Sequence, residues 1–330
     1  MNIGIVGCGT MGKIYADNFA SIEGVQIQAV CHYRMEQAKA FALKYGAHPY
    51  EDYLRFLQHP HLDAVCITLP THLHKLYVIQ ALERKKHVIC EKPLALDPID
   101  GAAMEQACRS MGVHLFVAHV VRFFPEYHNV FVGVRQGDIG PLRVIHAKRA
   151  SAYPLWNSWF LDEEKSGGVI FDLMIHDLDF VRWIADDPVE SVYAVERKSE
   201  GKAYANATLR FSNGILANVE AMWGYPGPFT TQMEVAGRQG VIHVDNQISK
   251  PMIIRKTADA DNSGRKGTLI PDQPLTRSPY LRQFMHFMDC IRSGATPRIT
   301  VGEACNAVAL AKAAAMSVKS GVPIPVEEFQ

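Results

Sequence analysis

The apolar run Ile3-Gly4-Ile5-Val6 meets Gly7-Cys8-Gly9-Thr10-Met11-Gly12 with no polar residue between them, and an amphipathic stretch follows at once. A strand that turns into a helix through three glycines limits the fold more than any other feature of this chain. Gly7 allows the tight turn, Gly9 lets the backbone around Cys8, Thr10 and Met11 approach phosphates, and Gly12 lets helix and strand pack closely. A pyrophosphate then sits on the helix N-terminus, where unpaired N–H groups and the helix dipole favour an anion. Taken alone, such a hexad also serves as a plain chain reversal.

The sequence beyond it supports the first reading. Periodicity predicts helices over Met11 to Ile22, Met35 to Tyr45, Asp52 to Gln58, Leu73 to Arg84 and Pro98 to Met111. Strands are predicted between them at Val25 to Cys31, Ala64 to Thr68, His87 to Cys90 and Val113 to Ala118. Such alternation is the pattern of right-handed βαβ units, a doubly wound parallel sheet of the Rossmann type covered on both faces. Ligands on such sheets bind beyond the carboxyl ends of the strands. Here those ends are Gly7, His32, Leu69-Pro70, Glu91-Lys92 and His119.

After residue 121 the pattern changes. Arg143 to Ala150, Val189 to Lys198, Tyr204 to Phe211, Ile215 to Met222, Thr231 to Ala236 and Val241 to Val244 read as strands joined by turns such as Ser212-Asn213-Gly214. They predict a large open, mostly antiparallel sheet, with a helix at Val169 to Ala185 inserted. Residues 257 to 274 read as an exposed loop, and helices at Tyr280 to Ser293 and Gly302 to Lys319 close the chain. The expected architecture is α/β: a dinucleotide-binding Rossmann domain over residues 1–121 and an α+β domain over 122–330 for substrate binding and oligomerisation.

Lys+Arg and Asp+Glu balance at 34 each, so no net field gathers nucleic acid or an anionic membrane. No stretch approaches a transmembrane helix and no leader precedes the first strand, which reads as cytoplasmic. The seven cysteines are odd in number and set mostly in apolar runs, a pattern of reduced core thiols rather than disulfides or zinc ligands.

A lysine directly before proline at the end of a parallel strand, as in Cys90-Glu91-Lys92-Pro93-Leu94, is a poor structural choice. With Gly7 to Gly12, Leu69-Pro70-Thr71-His72-Leu73-His74, Arg122-Phe123-Phe124-Pro125, and Ser166-Gly167-Gly168 leading to Asp172 and His176, it resembles the glucose-fructose oxidoreductase, inositol dehydrogenase and MocA family along nearly the whole chain. The resemblance implies NAD(P)-dependent interconversion of an alcohol and a ketone on a sugar or cyclitol, without a metal. It also implies a cis peptide before Pro93 and a homodimer or homotetramer built on the open sheet.

Asp172 and His176 lie four residues apart and project from one face of a regular helix. By themselves they read first as a surface hydrogen bond, with metal binding together with Asp179 a lesser reading, and Lys92 reads as a satisfied ion pair. The resemblance makes all three catalytic. His176 is the base for the alcohol proton, Lys92 steadies the developing alkoxide, and Asp172 orients His176 or a substrate hydroxyl. Leu69, Pro70, His74, Glu91, Lys92 and Pro93 complete the cofactor rim. An NAD-preferring fold usually places a carboxylate about 20 residues after the last glycine, whereas His32, Tyr33 and Arg34 stand here. That tilts the choice between NAD and NADP toward NADP, although Arg34 also reads as a solvated residue at a helix entry. Substrate contacts are expected from Lys92, His119, Arg122, Tyr153, Trp156, Asp172 and His176, with Trp156 and Trp159 equally suited to an interdomain core. Alternatives are a divergent carbonyl reduction, a redox-assisted glycoside opening, or a nucleotide-binding sensor.

Overall fold

The computed structural model describes residues 1–155, 157–247, 252–256 and 278–328; Trp156 and the loop expected at 257–274 lie outside the described residues. The first unit runs β1 (Asn2–Val6), α1 (Thr10–Phe19), β2 (Gln26–Cys31), α2 (Met35–Tyr45), β3 (His48–Tyr50) and α3 (Tyr53–Leu57). It continues through β4 (Ala64–Ile67), α4 (His74–Glu83), β5 (His87–Cys90), α5 (Pro98–Met111) and β6 (Leu115–Val117). The strands form one sheet in the order β3-β2-β1-β4-β5-β6, every pair parallel. Local chemistry sets the helix ends. Asp97 caps α5 by accepting the Ile99 N–H, Pro98 opens it, and Gly112 ends it in the left-handed conformation.

The second unit runs α6 (Pro125–Arg135), β7 (Leu142–Ser151), α7 (Glu163–Ser166), a π-helical turn (Ile170–Met174) and α8 (Ile175–Ala185). Then come β8 (Val189–Ser199), β9 (Lys202–Phe211), β10 (Leu216–Trp223), β11 (Thr230–Gly237), β12 (Gly240–Asp245) and β13 (Met252–Lys256). The chain closes with α9 (Pro279–Ser293), α10 (Val301–Ser320) and β14 (Ile324–Pro325). The sheet order is β13-β12-β11-β7-β10-β9-β8-β14; β10 and β7 are parallel and the other pairs antiparallel.

Strict alternation fixes which face is inside. Ile145, Ala147 and Arg149 of β7, Ala203, Ala205 and Ala207 of β9, and Ala217, Val219 and Ala221 of β10 are buried. His146, Lys148, Asn206, Asn218, Glu220 and Glu234 face the other way, half-buried or exposed. The small inner residues let α8 and α10 approach the sheet closely.

Several elements depart from the sequence reading. β3 is three residues with a central proline, tolerable because it is an edge strand. α6 has no counterpart among the expected elements; Pro125 opens it, and Tyr127, Val130 and Gly133 form its buried face. The helix expected at 169–185 begins with a π turn. The boundary at residue 121 also simplifies the chain's path. Phe284, Phe287 and Met288 of α9 return to the first unit and are buried with Ile3, Tyr15, Phe19 and Phe116. α10 lies between α5 and the large sheet; a Cβ on Gly101 of α5 would stand 2.6 Å from Cys305 Sγ of α10. All seven cysteines are free thiols.

Candidate active site

The glycine turn has the geometry its sequence implies. Gly7 has a φ of +98°, and a Cβ there would stand 2.5 Å from the Thr68 carbonyl oxygen. A Cβ on Gly12 would overlap the Gly7 carbonyl, so α1 presses directly on the end of β1. Thr68, which sequence reasoning passed over, locks the turn by donating its hydroxyl to the Val6 and Gly7 carbonyls at 2.8 and 2.9 Å. Gly9 is different: a Cβ there would meet open space. No side chain caps α1 and no carboxylate sits in its first turn, so its leading N–H groups are open to an anion. This cradle fits a dinucleotide pyrophosphate.

At the end of β2, His32 Nδ1 accepts the Arg34 N–H at 3.1 Å, and its ring stacks on Tyr33 with centroids 4.5 Å apart. The Arg34 guanidinium lies 5.1 Å from the Tyr33 ring centre, and Tyr33 is 70% exposed. The three residues make an aromatic and cationic platform open to solvent beside the glycine turn.

At the end of β5, Glu91 turns inward and Lys92 across to the second unit. Glu91 Oε2 accepts the Lys92 N–H at 3.2 Å, and the buried carboxylate interacts with the Tyr15 hydroxyl. Burial pushes the Glu91 carboxyl above the usual carboxylate range. It also raises the Tyr15 phenol and pushes that of Tyr280 up to about 12, with the Glu91 charge adding to both. The Lys92–Pro93 peptide is cis. Lys92 Nζ donates to the Asp172 carbonyl oxygen at 2.7 Å and to Asp172 Oδ1 at 2.8 Å.

Asp172, the expected orienting carboxylate, holds the Lys92 ammonium through Oδ1. Asp172 lies inside the π turn, where the wider winding changes the angular relation that a regular helix would impose on residues 172 and 176. Gly167 and Gly168, with φ of 73° and 67°, make the reversal between α7 and that turn. A Cβ on Gly167 would strike the Phe171 ring.

His176 keeps part of its surface exposed, but its Nδ1 is enclosed without a partner among the described residues. Burial, then the charges of Lys92 and Arg149, hold its imidazole well below the ordinary value of 6.5. It is therefore neutral at neutral pH. Arg149, absent from the sequence reading, is buried on the inner face of β7 and pairs through Nε and Nη2 with both Asp177 oxygens at 2.8 Å. Its inward position in an alternating strand was the available signal.

Three expected ligand contacts sit differently. Arg122 is 1% exposed; Nε and Nη2 bind Asp179 at 2.9 and 2.6 Å, Nη1 binds Glu303 at 2.8 Å, and Trp183 stacks on the guanidinium. It is a structural ion pair joining the domain junction to α8 and α10, and its Nη1 also donates to the Arg298 carbonyl at 3.1 Å. His74 is fully buried behind the cofactor rim, both ring nitrogens against backbone carbonyls. His119 is enclosed, with neither ring nitrogen hydrogen-bonded among the described residues and Nδ1 3.9 Å from Asp179 Oδ2. Asp172 and Asp179 thus serve different cations, and Asp172, His176 and Asp179 form no common ligand set. Tyr153 packs edge-on against Trp223 at 6.2 Å, and Trp159 stacks on Phe160 at 4.0 Å.

A doubly wound sheet with a phosphate cradle, joined to a second sheet domain by an ammonium–carboxylate contact beside a neutral imidazole, defines a nicotinamide-dependent oxidoreductase. Two models of one family match the chain: the oxidoreductase family NAD-binding Rossmann fold over residues 1–119 and the GFO/IDH/MocA C-terminal domain over residues 133–243. The chain belongs to the GFO/IDH/MocA oxidoreductase family, and its first domain binds NAD(H). It is similar to a myo-inositol 2-dehydrogenase of Thermotoga maritima, 29% identical across 99% of both chains. It is also similar to a scyllo-inositol 2-dehydrogenase (NAD(+)) of Bacillus subtilis, 28% identical across 98% of this chain and 95% of that one. The fold matches a levoglucosan dehydrogenase in complex with NADH and L-sorbose at a TM-score of 0.90, with 21% identity over 100% of this chain and 99% of that one.

Proposed function

We propose that this enzyme interconverts a secondary alcohol and a ketone on a cyclitol or sugar ring. The observation that carries the reading is the seating of Lys92, from the first domain, on Asp172 of the second, four residues before His176. A bound nicotinamide supplies the hydride acceptor. Neutral His176 takes the hydroxyl proton, and the Lys92 ammonium, held by Asp172, stabilises the oxygen as it gains charge. The inositol dehydrogenases among its relatives support a ring polyol as substrate, and the half-buried Tyr153 is proposed to line its site.

The platform of His32, Tyr33 and Arg34 supports NADP beside NAD, since Arg34 can pair with a 2′-phosphate where NAD-preferring folds place a carboxylate. The outer face of the large sheet is proposed to meet a second copy of the chain in a homodimer or homotetramer. The free thiols support a reducing, cytoplasmic compartment. No helix of the described residues is long and apolar enough to cross a membrane.

The test is a panel of cyclitols and aldoses with NAD+ and with NADP+, read by absorbance of the reduced cofactor. Turnover of at least one ring polyol is expected, lowered about a hundredfold or more in Lys92→Met and His176→Ala chains that still bind cofactor. Full turnover in either variant, or silence across the panel with both cofactors, overturns the assignment.

A further inference from the structure

His74 opens α4, and none of its surface reaches solvent. Its Nδ1 stands 2.9 Å from the Pro93 carbonyl oxygen and its Nε2 2.9 Å from that of Leu69. These carbonyls belong to two loops that leave neighbouring parallel strands, β4 and β5, at the carboxyl ends where a dinucleotide lies on such a sheet. The strand ladder between them ends with the Glu91 N–H donating to the Ile67 carbonyl at 3.0 Å. Past that bond the imidazole spans the gap. Burying a ring with two polar atoms is unfavourable unless both are matched, and an apolar side chain would fill the same space without that cost. Either neutral tautomer donates to one loop, and the imidazolium donates to both.

We infer that His74 is a positioning residue: it ties the Leu69–Pro70 loop to the Lys92–Pro93 turn and so fixes where the Lys92 ammonium stands relative to the bound cofactor. The inference rests on the role proposed above for Lys92. It assigns His74 no contact with substrate or with the reacting atoms. The effect passes through the backbone of Pro93, one residue from the lysine.

Two measurements test it in the full chain. The first is amide hydrogen exchange without cofactor. His74→Leu should raise exchange in residues 69–73 and 91–94 together, and His74→Gln, whose amide can still donate to one carbonyl, should raise it less. Unchanged exchange in both loops, or a rise confined to one of them, overturns the link. The second is turnover of a polyol found with the panel. His74→Leu should lower kcat about ten- to a hundredfold while the cofactor Kd, from fluorescence titration, moves less than about threefold, because misplacement of a catalytic group by about 1 Å costs on that scale. In a Lys92→Met background the same substitution should change kcat less than about twofold, the positioned group being gone.

A kcat effect of equal size in both backgrounds overturns the proposal, as does a normal kcat with a weakened cofactor Kd. Should the leucine variant fail to fold, His74→Gln and its double variant with Lys92→Met carry the same comparison. Full turnover in Lys92→Met sinks the parent reading first, whereas a Lys92→Met chain slowed about a hundredfold or more beside a normal His74→Leu chain sinks only this one.

Discussion

Lys92 and Asp172 are eighty residues apart in sequence and meet through two hydrogen bonds, one to the Asp172 carboxylate at 2.8 Å and one to its main-chain carbonyl at 2.7 Å. An ammonium has three N–H bonds, so these contacts use two and aim the third. The side chains are 14% and 18% exposed, sheltered enough for the charges to act strongly and open enough for a small substrate.

Replacing Lys92 with methionine should lower kcat by about 10²–10³, the scale of losing one preorganised donor to a developing oxyanion. Asp172→Asn, which keeps the main-chain contact but removes the charge, should cost less. Steady-state kinetics of both decide it; an asparagine variant worse than the methionine variant would require a direct role for the carboxylate.

His176 is depressed below 6.5 by burial and nearby cations, so alcohol oxidation should stay flat as pH falls from about 8 to about 6.5 and decline only below that. His74 and His119 are also held low by burial. The unfolded chain binds protons at about 6.5 that these folded imidazoles refuse, so their stability contribution is complete above that pH. It falls, as pH drops toward the folded values, by up to about 1.4 kcal/mol per pH unit for each group. Melting temperatures measured along a pH series should therefore fall on the acid side. A curve that rises there would show that these imidazoles are charged in the native protein.

Arg34→Ala should raise the KM for NADP about ten- to a hundredfold, matching a lost charge-assisted hydrogen bond of about 1.5–3 kcal/mol, and leave that for NAD within about twofold. Parallel initial-rate measurements read the difference directly. Equal effects on both cofactors would remove the 2′-phosphate role.

Arg122→Met should destabilise the chain by about 3–5 kcal/mol, because Asp179 and its enclosed surroundings lose the cation that neutralises them. Asp179→Leu in the same chain should recover much of that loss. Urea unfolding of the single and double variants tests the coupling, and strictly additive losses would contradict it.

Gly101→Ala gains up to about 1 kcal/mol in helix propensity, yet its Cβ would meet Cys305 Sγ at 2.6 Å. Net destabilisation of about 1–3 kcal/mol is expected from the overlap. Adding Cys305→Ala should turn it into a gain. Thermal melts of the two variants report the sign.

Much of the architecture was legible because it is written in local chemistry. The three glycines, the alternation of short apolar runs with helical periods, and the two-residue alternation of the later strands each reflect a constraint that neighbouring residues impose. Lys92, Asp172 and His176 were nameable through a family signature. Their geometry was not: the π turn that holds Asp172 lies over residues 170–174, and no spacing rule reveals it.

Arg122 and His74 show the limit most plainly. Each lies at or near a strand end, where polar side chains usually face ligand, and each turned out to be committed to the interior. Whether a polar group at such a position points outward or is consumed by a distant partner depends on residues such as Asp179 and Glu303, or on carbonyls such as those of Leu69 and Pro93, that only the folded chain brings near. The sequence by itself determined the class of fold and the residue types available for chemistry, because backbone periodicity and turn conformations are local. Tertiary structure alone decided which charges pair and which remain for a substrate, because burial and electrostatic pairing are set by distances in space.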